Sequence, residues 1–261
     1  QANHARTPEM IPFDLYRSPD SFDRRVAVES AVDRFVGSLT PTNAVEILRD
    51  RSRHPWPNAS NVANLTVLNA AVVHPASRTL WHAQSMQPVA PFGAYIGFSL
   101  DAEGPRPATI DASSWFGSAA MTREVAVVGQ ARRGLHDLME GRYAAARDRF
   151  DAVGGFSRAV LDPRRIALGA AAATLLGGDP AGALLRLEAA LEEEAPVDVR
   201  IYALALAGQA HDALGERSAA TERFRQVIAA VEAQPQWNVF ARVAEVARAG
   251  MAESTAPPVE I

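Results

Sequence analysis

The chain contains no cysteine and no lysine, so all 26 of its basic residues are arginine. Without cysteine this polypeptide carries no thiol nucleophile, no thiolate metal site and no disulfide. Without lysine it can form no Schiff base and no phosphate-binding loop that ends in lysine. No apolar run approaches the roughly 20 residues of a membrane-spanning helix, and no secretory signal is recognisable. Strong charge of either sign is missing too: the formal net charge is −4, with 21% charged residues, so nothing favours nucleic acid or an anionic membrane as partner. The compartment is left open, with the cytoplasm favoured.

What is present suffices for ordinary cores, since 48% of the 261 residues are apolar. The densest apolar stretch is Asn64–Leu100. Leu65–Val73 is β-branched and too short for a helix, and it ends at Pro75-Ala76-Ser77-Arg78. Thr79–His82 resumes with β formers, and Phe92–Leu100 alternates aromatic and small residues. These read as three strands, the first two a hairpin closed by residues 75–78. So many apolar positions on both faces call for a larger layered sheet, completed by chain outside this sequence. Upstream, Ser18 or Asp20 caps a helix with an apolar stripe of Phe22, Val26, Val28, Ala31, Val32, Phe35 and Val36. Thr40-Pro41 starts a second, shorter helix carrying Ala44, Val45, Ile47 and Leu48 and ending near Arg51.

The order of these pieces carries a resemblance. Asn3-His4, a long loop, Ser21-Phe22-Asp23-Arg24-Arg25, Ala44–Asp50, and Thr66-Val67-Leu68-Asn69 leading into the hairpin follow one another in sequence. In this respect residues 1–100 resemble the C-terminal part of the acyl-coenzyme A:isopenicillin N acyltransferase family of N-terminal-nucleophile hydrolases. The resemblance implies a share of a four-layer αββα sandwich and an autoprocessed amidase or acyltransferase. It places Asn3 in the oxyanion hole, with His4 as its supporting neighbour. It also implies an N-terminal cysteine nucleophile. As the chain has none, the nucleophile is expected on a second chain or an upstream segment. Gln1-Ala2-Asn3-His4 itself reads as the middle of something longer. An arginine that precedes the Thr-x-x-Asn strand in the penicillin-processing member aligns near Ala63, so that substrate contact is missing. The expected substrate is an acyl amide, a peptide or an acyl thioester. No cofactor is expected, although acyl-coenzyme A could serve as substrate.

Beyond Leu100, residues 101–117 are rich in Pro, Gly, Ser, Asp and Ala and read as a linker. Residues 118–253 read as helix, and they repeat. Gly141, Gly178 and Gly215 recur every 37 residues, as do Ala146, Ala183 and Ala220, and Phe150, Leu187 and Phe224. Gly134 and Gly208 fall at the small-residue position of the first helix in their units. The pattern is similar to the tetratricopeptide repeat, whose usual period is about 34 residues. Glycine turns the chain, alanine lets two helices approach, and Phe or Leu fills the wedge between them. A last helix from Trp237 to Ala252 caps the stack, and residues 254–261 are a tail. The chain is thus expected to be α+β: part of a hydrolase sandwich, then an all-α repeat domain with room for a protein partner in its groove. The alternative is an inactive hydrolase-like domain whose repeats act as a protein-binding scaffold.

Other candidates have plainer explanations. Facing each other across the hairpin, His74 and His82 would suggest a metal pair, but they lack a third ligand. Arg24 and Arg25 are helix anchors, and Glu192–Glu194 is a solvated helix end. Asn58-Ala59-Ser60 and Asn64-Leu65-Thr66 match the glycosylation pattern without a secretory context.

Overall fold

The computed structural model describes residues 18–52, 61–64, 67–86, 89–101, 104, 106–154, 162–191 and 195–253. They form a mixed α+β chain with one small antiparallel sheet. Its contacts separate two units, one over Pro19–Ala126 and the other from Val127 onward.

The first unit opens with α1 (Pro19–Asp33), which buries Ser21, Ala27 and Ala31. Of the apolar stripe, Ala31 is buried and Phe22, Val28 and Phe35 are half-buried. Val26 and Val32 are exposed, and Val36 lies past the helix end at 75% exposure. The second helix, α2 (Pro41–Leu48), begins with a capping box. Asn43 N donates to Thr40 Oγ1 at 3.2 Å, and Thr40 N donates to Asn43 Oδ1 at 3.2 Å. Pro41 takes the first helical position, where no N–H is needed.

Three strands follow: β1 (Ala71–His74), β2 (Thr79–Ala83) and β3 (Tyr95–Ser99), in the order β1-β2-β3. The expected hairpin is present, with Val72 opposite Trp81 and His74 opposite Thr79. Its turn is Pro75–Arg78, where Arg78 adopts a φ of 49° and donates its N–H to Pro75 O. Two boundaries differ from the reading of the sequence. The first strand begins at Ala71, because Leu68 and Asn69 turn outward in irregular backbone. Ala90–Phe92 forms a single 3-10 turn, so the third strand starts only at Tyr95.

Alternation along the strands sorts side chains onto two faces. One carries Trp81, Ala83 and Tyr95, packed against Val45 and Leu48 of α2 and against Ala70 and Ile110. The other carries Val73, Leu80, His82, Ile96 and Phe98; Val73 is 57% exposed and Phe98 43%.

Residues 106–117, read as linker from their composition, line the sheet. Ile110 bridges Tyr95, Ser113 N donates to Phe92 O, and the Trp81 indole N–H donates to Ala108 O at 2.9 Å. The Trp115 ring stacks at a tilt on Phe92, 4.7 Å between centroids. Gly97 makes this approach possible, since a Cβ there would sit 2.7 Å from Pro107 Cβ. Pro107 in this stretch therefore serves close packing on β3 as well as turning.

The second unit contains the C-terminal part of α3 (Ala119–Met139), then α4 (Tyr143–Gly154), α5 (Pro163–Leu176), α6 (Pro180–Leu187), α7 (Val197–Ala213), α8 (Arg217–Glu232) and α9 (Ala241–Ala252). The 37-residue register maps onto equivalent structure. Gly141, Gly178 and Gly215 have φ of 73°, 91° and 77° and join α3 to α4, α5 to α6 and α7 to α8. Ala146, Ala183 and Ala220 are each fully buried. Phe150 touches Gly134 and Phe224 touches Gly208, so a Cβ on either glycine would crowd the ring; Leu187 and Ala171 share a core cluster in the middle unit.

Each turn is a Schellman motif. The N–H one residue after the glycine bonds back to the carbonyl five residues earlier: Arg142 to Asp137, Asp179 to Thr174, and Glu216 to His211. The glycine N–H bonds to Leu138, Leu175 and Asp212, respectively. Both α5 and α6 start on an Asp-Pro pair, with Asp162 accepting from Arg164 N and Asp179 from Gly182 N. The last helix begins at Ala241 after a 3-10 turn over Asn238–Phe240, slightly later than the sequence suggested. It buries Val243, Val246 and Ala247 against α7 and α8 and turns Arg242, Glu245 and Arg248 outward, a polar end to the stack.

Candidate functional site

The candidate site in the first unit is an open cleft of about 660 Å³ between α2, β2 and residues 108–114. Its size is that of a small-molecule pocket. Thr42 and Glu46 line it from α2, Trp81 from β2, and Thr109, Asp111, Ser113 and Ser114 from the irregular segment.

Arg49 builds the cleft. It sits at the C-cap of α2, only 8% exposed, with its guanidinium turned back beneath the 3-10 turn. Nε donates to Pro91 O at 3.1 Å, and one terminal nitrogen donates to Gly93 O at 2.9 Å and Asp111 O at 2.6 Å. The other terminal nitrogen meets Glu46 Oε1 at 2.8 Å. A planar fork with donors on three nitrogens can tie a helix end to two separate loops, which a lysine ammonium cannot do. The guanidinium also lies 5.5 Å from the Tyr95 ring centroid.

Tyr95 is fully buried, and its hydroxyl has no hydrogen-bond partner among the described residues. Burial pushes its ionisation up to about 12, and Glu46 adds to the rise while Arg49 opposes it. A proton held this firmly makes the Tyr95 hydroxyl a weak acid that stays neutral at ordinary pH. A second aromatic cluster lies nearby, where Arg51 stands 4.8 Å from the Trp115 centroid and pairs with Glu124 at 3.5 Å.

Chemically, the cleft offers hydroxyls and two carboxylates, while the cation beneath it is already spent on carbonyls and Glu46. The Ser113 hydroxyl accepts from Phe116 N at 3.3 Å, which is a turn contact. Among the described residues, no group of three or more His, Cys, Asp or Glu could hold a metal ion.

The residues singled out in the sequence are placed as follows. Asn3 and His4 lie outside the described residues. His74 and His82 fall on opposite faces of the hairpin, since His74 pairs with Thr79 and His82 with Ala71, so the two cannot share a ligand. His74 Nδ1 instead sits 2.5 Å from Ser77 Oγ within the turn. Arg25 reaches Glu29 at 3.8 Å and stacks over Phe22, both contacts within α1. Asn64 is buried and donates to Asn61 O at 3.0 Å, while Asn58 and residues 192–194 lie outside the described residues. Arg49 was missed in the sequence. Its only signal was an arginine directly after the apolar run of a short helix.

No protein family, characterised protein or solved structure matches this chain. The described residues make up a mixed α+β chain with one three-stranded antiparallel sheet. No described helix is long and apolar enough to cross a membrane.

Proposed function

We propose that residues 1–100 form the C-terminal portion of an autoprocessed amidase or acyltransferase of the N-terminal-nucleophile class. The cysteine nucleophile comes from a second chain or an upstream segment, and Asn3 donates to the oxyanion with His4 beside it. The substrate is an acyl amide, a peptide or an acyl thioester, with acyl-coenzyme A as a candidate acyl donor. The observation that carries this reading is the sheet face on which Val73, Leu80, Ile96 and Phe98 surround His82, with Val73 and Phe98 exposed. A face of that composition is what a further layer of a sandwich would cover.

The test is intact-mass analysis of the purified protein, followed by assay of the assembled material on a panel of amide and acyl-thioester substrates. A co-purifying polypeptide that begins with cysteine, together with turnover, is the expected outcome. In that assembly Asn3→Ala lowers kcat by roughly 10²–10³-fold and changes KM much less, because the amide bonds mainly to the transition state. Unchanged turnover in Asn3→Ala would remove the assignment.

A second reading, a catalytically inactive hydrolase-like domain whose repeats serve as a protein-binding scaffold, is favoured by the regularity of the three helix pairs. It expects no turnover on any substrate and a protein partner retained by the repeat segment.

A further inference from the structure

We draw no further inference here: the strongest candidate, the open cleft between α2 and residues 108–114, belongs to the site already described, and with the Arg49 guanidinium committed to carbonyls and Glu46 nothing in the structure shows what would fill it.

Discussion

Replacing Arg49 with lysine tests whether the fork geometry, rather than positive charge alone, holds the first unit together. The guanidinium makes bonds from three nitrogens to Pro91 O, Gly93 O, Asp111 O and Glu46. A single ammonium nitrogen cannot occupy the positions of both Nε and the terminal nitrogens, so at least two of these bonds are lost. Bonds from a charged donor contribute about 1.5–3 kcal/mol each, and water reaching Asp111 through the open cleft offsets part of the loss. The expected cost of Arg49→Lys is therefore about 2–4 kcal/mol, a fall of about 1–2 M in the urea midpoint at an ordinary slope. Arg49→Ala costs more, since it also leaves Glu46 without its cation and opens a void over Tyr95. The assay is equilibrium urea unfolding followed by tryptophan fluorescence, because Trp81 and Trp115 both lie in this unit. As a control, Arg242→Lys alters a pair whose side chains are 71% and 59% exposed and should stay within about 0.5 kcal/mol of the parent. If Arg49→Lys is as silent as that control, the idea that one buried arginine fastens the cleft is wrong.

Enlarging any of the fully buried alanines of the repeat, as in Ala146→Leu, Ala183→Leu or Ala220→Leu, should cost about 1–3 kcal/mol through overpacking; three losses of unlike size by thermal melting would argue against equivalent sites. Gly178→Ala should cost roughly 1–2 kcal/mol, because a Cβ is strained at its φ of 91° and nothing crowds it otherwise; Gly178→Asn should cost less. Asp137 is held below the ordinary carboxylate range by hydrogen bonds first from Arg149 and then from Arg142. A depressed folded value stabilises the protein above the unfolded value of about 3.9 and loses that stabilisation as pH falls through the folded one. Asp137→Asn should therefore flatten the acid limb of a stability–pH curve below about pH 4, and an unchanged limb would discount the carboxylate.

The helical repeats were legible because the signal is local and periodic. A glycine at positive φ, an alanine under a helix crossing and a bulky wedge each leave their own residue type at a fixed spacing, and three copies make coincidence improbable. The hairpin was legible for a similar reason, with Pro75 and Ser77 interrupting two β-branched runs. The cleft was not. Its arginine reaches 42, 44 and 62 residues along the chain to find its acceptors, and those acceptors are backbone carbonyls, which no residue type announces. Residues 106–117 misled for the opposite reason, since Pro107 is a turn former by composition but here packs closely on Gly97 of β3. The stripe on α1 marked the helix itself, since apolar residues at helical spacing run through Pro19–Asp33.

The three Schellman turns bear on how the array avoids assembling wrongly. Proteins built from near-identical units risk docking one unit's helix into another's place, and a neighbouring copy can swap in by the same route. By size alone, α8 could replace α4, since Gly134 would receive Phe224 as readily as Phe150. The residues flanking each turn glycine tell the units apart. In the first, Asp137 is paired with Arg142; in the third, His211 is paired with Glu216. Seating α8 on α3 would bring Glu216 to the position of Arg142 and Arg223 to that of Arg149, so Asp137 would exchange one of its two arginines for a carboxylate. Seating α6 there would bring Asp179 to the same place and leave Leu187 short of the glycine. The two arginines on Asp137 are therefore of different kinds: Arg149, with Arg186 and Arg223 at the same register, is common to the three units, whereas Arg142 belongs to the first turn alone.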